Sequence, residues 1–242
     1  MKYAIEVTKL RKEFGLKTAV KDISFQVKEK TLFSLLGVNG AGKTTTIRML
    51  TGLSRPSGGD ALILGHSIIK ELDEVKKISN LSPQDTAVAP NLTVRENLEF
   101  MAGIYNMNKQ KTQERTTEMI QLFSLQEVEN SKAKTLSGGW QRKLSIAMAL
   151  ITEPEILYLD EPTLGLDVLA RKDLWRIIEH LKKEVTIILT THYMEEAEQL
   201  SDAIAVMVGG EIKALGTLEE LKKLTGKNNL EDAFVEIAEG GM

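Results

Sequence analysis

The first thirty residues alternate between hydrophobic and polar positions, as the strands of a half-buried sheet do. The alternation covers residues 3–7 and residues 23–27, and Gly15 lies between the two stretches. Glycine is favoured where a turn joins two antiparallel strands. We therefore predict that a pair of antiparallel strands opens the chain.

Largely hydrophobic runs follow later and predict strands that are buried on both faces. These runs occupy residues 32–36, 156–159 and 185–189. A strand pair is expected at residues 203–208 and 211–215, and shorter strands at residues 61–64 and 78–81. Because these strands alternate with helical segments, we expect a protein of the α/β class.

Residues 91–129 change to a helical pattern. Thr93 and Glu96 have the spacing of a capping box, and hydrophobic residues recur at helical intervals after them. We expect the lysine-rich residues 106–115 to form a solvated turn between two helices. The whole block is a candidate subdomain inserted into the α/β frame.

Composition narrows the class of protein. The 242 residues carry a formal net charge of −3 and contain no cysteine. The charge gives no support to a nucleic-acid partner, and the lack of cysteine rules out disulfides and suits a reducing compartment. No apolar run approaches the ~20 residues of a spanning helix, and the N-terminus lacks the apolar core of a signal peptide. We expect a soluble, cytoplasmic, globular protein.

A glycine-rich segment follows the first buried run. Residues 37–44 fit the pattern G-x-x-x-x-G-K-[ST], in which backbone amides wrap around phosphates. In this pattern Lys43 reaches the terminal phosphates and the Thr44 hydroxyl binds Mg²⁺. The candidate phosphate-loop residues are Gly37, Val38, Asn39, Gly40, Ala41, Gly42, Lys43, Thr44 and Thr45.

Two adjacent carboxylates end the second buried run. Acidic residues at strand ends are commonly solvated, but a pair downstream of a phosphate loop suits a metal and water site. We expect Asp160 to bind Mg²⁺ and Glu161 to orient or deprotonate the attacking water.

Four further features can each be explained by an ordinary structural role when taken alone. Phe14 is a partly buried hydrophobe or a stacking face for adenine. Gln84 follows a proline, as many solvated loop residues do. Ser137 and the glycines after it cap a helix or bind an anion. Among the three histidines, His192 alone lies just past a strand end, where α/β enzymes place ligand groups.

The order of these landmarks resembles that of the ATP-binding subunit of an ABC transporter. The landmarks are GVNGAGKTT, Gln84, LSGGW, ILYLDEPT with GLD, and TTH, and they span almost the whole chain. The resemblance implies a P-loop NTPase core with a mixed central sheet, an N-terminal antiparallel β-subdomain and an inserted α-helical subdomain. Within a single domain over 1–242, it assigns 1–30 and 59–82 to the antiparallel part, 31–58 and 152–218 to the core, 91–151 to the helical subdomain and 219–242 to a short tail.

The resemblance also assigns roles by position. Phe14 becomes the aromatic that stacks on adenine, and Gln84 senses Mg²⁺ and the attacking water. Lys43 stabilises transferred charge, and His192 is a switch near the γ-phosphate. The family signature is Ser137, Gly138 and Gly139, and Asp167 crosses between subunits. This sequence departs from the family at Phe14, where tyrosine is usual, and at Trp140, where glutamine is common.

The partners follow from the same resemblance. ATP and Mg²⁺ are expected at the site, with a second ATPase subunit, identical or related, whose signature caps the ATP. Work would pass to a transmembrane permease, so we expect a cytoplasmic protein held peripherally on the inner face of the cell membrane. The C-terminal region looks like the branch that serves drug, lipid-linked or polysaccharide exporters. The alternatives are a soluble ABC ATPase acting on ribosomes or nucleic acid, and a catalytically silent nucleotide-binding regulator.

Overall fold

Residues 2–240 are described by the computed structural model, and within them ten strands form two sheets. The strands are β1 (Tyr3–Phe14), β2 (Lys17–Lys28), β3 (Leu32–Leu36), β4 (Gly58–Ile63), β5 (His66–Ser67), β6 (Ser79–Ser82), β7 (Ile156–Asp160), β8 (Thr186–Thr191), β9 (Ala203–Val208) and β10 (Glu211–Gly216). The α-helices are α1 (Lys43–Leu50), α2 (Leu72–Ile78), α3 (Val94–Ile104), α4 (Lys109–Leu122), α5 (Gly138–Leu150), α6 (Val168–Leu181), α7 (Met194–Leu200), α8 (Leu218–Thr225) and α9 (Leu230–Glu239).

The smaller sheet is antiparallel and has the order β2-β1-β4-β5. Strands β1 and β2 pair from Tyr3 opposite Lys28 to Phe14 opposite Lys17, and Gly15 turns the chain at φ 57°. The predicted strand pair is confirmed but is longer than expected. The charged residues of β1 beyond position 7 are exposed or half-buried, while Leu10 is buried.

The larger sheet is mixed and has the order β10-β9-β3-β8-β7-β6. Its strands run parallel except for β10, which pairs antiparallel with β9. The assignment of residues 59–82 to the antiparallel part is wrong at its end. Residues 79–82 form β6, which pairs in parallel with β7 in the larger sheet. Helix α2 intervenes and carries the chain from the smaller sheet to the free edge of β7.

Helices α3, α4 and α5 form the inserted block. The predicted capping box is confirmed, since Glu96 N donates to Thr93 Oγ1 over 3.1 Å and Thr93 N donates to Glu96 Oε2 over 2.7 Å. The predicted turn over 106–115 is wrong in extent. Helix α4 already begins at Lys109, because the Asn108 side chain accepts from Lys111 N over 2.9 Å and caps it.

The core has three hydrophobic clusters. The first lies between the helical block and the larger sheet, and the second lies between the two sheets, where Phe25 stacks on Phe33. The third lies under the tail helices α8 and α9. Burial of the larger sheet on both faces explains its continuous hydrophobic runs. Within the described part of the chain, no helix combines the length and hydrophobicity needed to cross a membrane.

Candidate functional site

The phosphate loop joins the end of β3 to the start of α1, as its sequence predicts. Two of its glycines are required by close backbone contacts. A Cβ on Gly37 would lie 2.3 Å from the carbonyl oxygen of Met207, and one on Gly42 would lie 2.6 Å from that of Ala19. Gly42 also has φ 107°, which a side chain strongly disfavours. The loop is therefore packed against its neighbours in a fixed shape.

Lys43 folds back across this loop and is almost fully buried. Its ammonium donates to the carbonyl of Gly37 over 2.7 Å and lies 3.3 Å from that of Val38. It also lies 3.1 Å from a carboxylate oxygen of Glu161. The ammonium is thus held at the centre of the loop, where a phosphate anion would be attracted to it.

Asp160 lies beside the first turn of α1. The Thr44 hydroxyl donates to its Oδ1 over 3.0 Å, and the Thr190 hydroxyl donates to the same oxygen over 2.5 Å. A hydroxyl and a carboxylate are hard oxygen ligands of the kind that Mg²⁺ prefers. Among residues 2–240 no group of three His, Cys, Asp or Glu side chains could hold a metal by itself. The donor set fits an ion that is shared with phosphates and water.

Glu161 follows Asp160 with an unusual backbone, at φ 49°. Its N–H donates to the Thr190 hydroxyl over 3.0 Å, and His192 Nδ1 lies 2.7 Å from its Oε2. Non-glycine residues in this left-handed region cost free energy and occur preferentially at functional sites. The bend presents the Glu161 carboxylate to both Lys43 and His192.

One cavity of about 480 Å³ gathers residues from five distant parts of the chain. Of the predicted site residues, it is lined by Phe14, Asn39, Gly40, Ala41, Gly42, Lys43, Thr44, Thr45, Gln84, Glu161 and His192. Gly37 and Val38 contribute carbonyls to Lys43, and Asp160 lies behind Thr44. The structure therefore brings the phosphate loop, the acidic strand end, the glutamine and the histidine to one place.

Phe14 stands at one end of this cavity. Its side chain is 55% exposed, and the Lys12 ammonium lies 5.0 Å from the ring centroid. An exposed aromatic face beside a phosphate loop is suited to stacking on a nucleotide base. The structure thus disagrees with the interpretation of Phe14 as a partly buried hydrophobic residue.

Sequence reasoning missed three lining residues, Lys17, Ala19 and Leu164. Lys17 and Ala19 lie on β2, next to Phe14 across the hairpin, and Leu164 follows the acidic strand end. Their signals are weak, since a lysine in a strand is usually solvated and a leucine in a loop usually packs against the nearest hydrophobic surface. Ala19 contributes through its backbone, which lies against Gly42.

Four predicted residues lie elsewhere. Of the residues that the structure describes, Ser137, Gly138, Gly139 and Asp167 do not line this cavity. Ser137 caps α5 by accepting from Trp140 N over 3.4 Å, and Asp167 caps α6 by accepting from two backbone N–H groups. The starts of the two helices are neighbours, since a Cβ on Gly139 would lie 3.2 Å from Ala170 Cβ. These four residues form a second surface.

Trp140 belongs to that second surface. Its indole packs against the cluster under the helical block, and the Lys143 ammonium lies 4.9 Å from the ring. Lys143 in turn pairs with Asp173 of α6. The tryptophan therefore has local packing partners that a glutamine in this position would not reproduce.

Sequence similarity connects the chain to a known family. The sequence model of the ABC transporter family matches residues 20–164, more than half of the chain. The phospholipid-transporting ATPase ABCA3 of Homo sapiens is 41% identical over 226 residues, a match that covers 92% of this chain and 13% of that protein. The chain therefore spans only a small part of the first curated relatives that it matches.

Two bacterial relatives are matched over more of their length. The daunorubicin/doxorubicin resistance ATP-binding protein DrrA of Streptomyces peucetius is 40% identical over 228 residues, covering 94% of this chain and 69% of that protein. The linearmycin resistance ATP-binding protein LnrL of Bacillus subtilis is 37% identical over 227 residues, covering 93% of this chain and 73% of that protein.

Solved structures share the fold. The ATP-binding subunit of an ABC transporter superposes with a TM-score of 0.86 at 29% identity, covering 97% of this chain and 99% of the other. An ATP-binding cassette in a dimeric, post-hydrolysis state with ADP and Pi superposes with a TM-score of 0.79 at 26% identity, covering 88% and 98%. The predicted α/β fold class is confirmed.

Proposed function

This chain belongs to the ABC transporter family, and from that premise we propose that it binds and hydrolyses ATP to power translocation of a substrate by a separate membrane permease. The cavity at the phosphate loop carries the proposal. It places the Lys43 ammonium, the Thr44 hydroxyl and the Glu161 carboxylate around one space. These are the groups that phosphoryl transfer to water requires.

Each of these residues has a distinct role. The loop amides and Lys43 hold the β- and γ-phosphates and stabilise charge as the terminal phosphoryl group leaves. Thr44, Asp160 and Gln84 would hold Mg²⁺. When bound, this ion neutralises charge on the phosphate oxygens. Phe14 stacks on the base and so orients the nucleotide.

Glu161 acts on the attacking water. Its carboxylate accepts a proton from water as the oxygen attacks the γ-phosphorus, or orients that water for attack. His192, 2.7 Å from Glu161, holds the carboxylate in place with its Nδ1–H. Both line the same cavity as the phosphate loop, so a water held by Glu161 would lie close to the bound γ-phosphate.

We infer that the second surface binds a second ATPase subunit. Ser137, Gly138 and Gly139 begin a long helix, so their amides are receptive to an anion. Because they lie outside the cavity of their own chain, we infer that the phosphate they would contact is held by another subunit. Two subunits paired head to tail would each complete the other's site, with Asp167 at the contact. The partner is an identical chain or a related one.

The transported substrate would be bound by the permease and not by this chain. The relatives named above transport phospholipid or confer resistance to daunorubicin, doxorubicin and linearmycin, by their names. For this chain we therefore propose an exporter of lipophilic or amphipathic compounds. The subunit would lie on the cytoplasmic face of the membrane, bound to its permease. The net charge of −3 gives no support to a nucleic-acid partner.

The proposal is tested by phosphate release from ATP with the purified chain, alone and co-purified with its permease. We expect release that requires Mg²⁺ and is stimulated by lipophilic substrates of the permease. A chain that hydrolyses no ATP in either preparation would refute the assigned activity. Stimulation by ribosomes or DNA, with none by the permease, would favour the alternative class.

A further inference from the structure

Helix α5 makes a second set of contacts, at a distance from Ser137. Arg142 and Ser145 are three positions apart and therefore share one face of the helix. This face lies against the end of β6 and the two residues after it. The Ser145 and Ser82 hydroxyls are 3.0 Å apart and hydrogen-bonded. Arg142 Nη1 donates to the carbonyl of Pro83 over 2.7 Å.

The next residue is held by the same side chain. Arg142 Nη2 donates to the backbone carbonyl of Gln84. Three successive residues, 82 to 84, are thus attached to two residues of one helix. The backbone of Gln84 is fixed by Arg142 while its side chain lines the ATP cavity.

The burial of Arg142 makes these bonds unusual. The residue is only 4% exposed, and its hydrogen-bond partners among residues 2–240 are two backbone carbonyls. Removing a guanidinium from water is costly unless its donors are satisfied. Two backbone carbonyls at the edge of the nucleotide site accept from its two terminal nitrogens, while its Nε has no hydrogen-bond partner among the described residues. The Arg142 side chain therefore does not point to solvent but is buried against the backbone of residues 83 and 84.

We propose that Arg142 is a positioning residue that joins the backbone of Gln84 to helix α5. A movement of Gln84 in one ATP site would then displace residues Ser137–Gly139, which lie at the start of α5 and face the second subunit. This inference rests on the proposed function. It adds a physical connection between the ATP cavity of a chain and the surface around Ser137–Gly139 that the same chain presents to the second subunit. The guanidinium fork holds two consecutive carbonyls, so the loop and the helix move together.

The chain offers a matched control at the other end of α5. Arg115 of α4 donates to the carbonyl of Leu150 over 2.8 Å and to that of Ile151 over 3.3 Å. It is a little-exposed arginine bound to two consecutive backbone carbonyls, like Arg142, but far along the helix from Gln84. Loss of either arginine removes hydrogen bonds to two backbone carbonyls, and loss of Arg115 also breaks its ion pairs with Glu118 and Glu153. Only Arg142 binds the backbone of a residue that lines the nucleotide cavity.

The experiment measures ATP-driven dimerisation by size-exclusion chromatography in a Glu161→Gln background, with ADP affinity measured by calorimetry. With Arg142→Gln we expect the ATP concentration for half-maximal dimerisation to rise about tenfold. ADP affinity should stay within about threefold, because the phosphate loop is untouched. Arg115→Gln should lower the melting temperature at least as much, because it also breaks the ion pairs with Glu118 and Glu153, and should leave dimerisation unchanged.

Two results would overturn the inference. One is unchanged dimerisation with Arg142→Gln, and the other is an equal loss with Arg115→Gln, which would indicate a structural role only. If Arg142→Gln does not fold, Arg142→Lys decides, since it keeps the charge but cannot hold both carbonyls. A background protein that neither binds nor dimerises with ATP would instead contradict the proposed function, independently of Arg142.

Discussion

The Lys43 ammonium lies 3.1 Å from the carboxylate of Glu161, and each of these side chains is only 5% exposed. The phosphate-binding cation and the water-activating base are therefore direct neighbours across the cavity. Their opposite charges compensate each other where water is largely excluded. A change at either residue consequently alters the electrostatics of the other.

Lys43→Ala should abolish most nucleotide binding. Hydrogen bonds to charged groups contribute about 1.5–3 kcal/mol each, so we expect ATP affinity to fall by about ten- to a hundredfold or more. Isothermal calorimetry measures this directly. Lys17→Ala is the matched control, since Lys17 also lines the cavity but lies outside the phosphate loop. ATP affinity like that of the unaltered chain in Lys43→Ala would contradict the phosphate-loop assignment.

Lys43→Ala also leaves the Glu161 carboxylate buried without its cation. Such a loss is destabilising, so a lower melting temperature is expected alongside weaker binding. The double variant Lys43→Ala with Glu161→Gln separates the two effects. It should regain thermal stability, because no buried charge is left unpaired, but it should not regain ATP affinity.

Glu161→Gln should retain ATP binding and lose hydrolysis. An amide cannot take a proton from water, and general-base catalysis contributes about 10²–10⁴-fold. The amide oxygen can still accept from His192, but the amide NH2 then faces the Lys43 ammonium, so the contact with Lys43 is lost. Phosphate release should fall by that factor, and ATP should hold the chain as a dimer on size-exclusion chromatography. Turnover at the rate of the unaltered chain would exclude Glu161 as the base.

The local parts of the site were predictable from the sequence. A strand, a glycine-rich loop and a helix must follow one another at the phosphate loop, and two carboxylates must end the next buried strand. These statements depend on neighbours in the chain, and the structure agrees with them. The proximity of Phe14, Gln84 and His192 depends on tertiary folding, and only the family resemblance indicated it.

The predictions for β6 and α4 were wrong for physical reasons. Strand β6 has the sequence Ser-Asn-Leu-Ser, which carries no alternation, so its partner is set by the free edge of β7 alone. Helix α4 is almost entirely polar at its start, and the Asn108 cap decides where it begins. Arg142 was missed because an arginine side chain is rarely buried, even on a helix that is itself largely buried. Only the packed structure shows that it is buried against carbonyls.

Phe14→Ala should weaken binding of ATP but not of inorganic triphosphate. Stacking of a base on an aromatic ring contributes about 1–3 kcal/mol, which predicts a five- to hundredfold loss for ATP. Triphosphate has no base, so its affinity should not change. Phe14→Tyr should bind ATP like the unaltered chain. Leu16→Ala is the control, as Leu16 is fully exposed on the same hairpin turn. Equal losses for both ligands would exclude stacking.

Glu196 is the fully buried carboxyl of helix α7. Its Oε1 accepts from the Trp175 indole N–H over 3.1 Å, and its Oε2 has no hydrogen-bond partner among the described residues. Burial raises the pKa of Glu196 above its ordinary value of 4.5, and the nearby charge of Glu161 adds to this effect. The folded protein therefore binds a proton at Glu196 more tightly than the unfolded chain does.

The stability of the protein should consequently depend on pH through this residue. A raised folded-state pKa gives a contribution that is complete below the unfolded value and is lost as pH rises through the folded value. Glu196→Gln keeps a neutral acceptor for Trp175 and cannot ionise. Its melting temperature relative to the unaltered chain should therefore increase from pH 5 to pH 8. Glu195→Gln, an exposed neighbour on α7, should show no such trend. Parallel melting curves for Glu196→Gln and the unaltered chain across this range would mean that Glu196 is already ionised in the folded protein at pH 5.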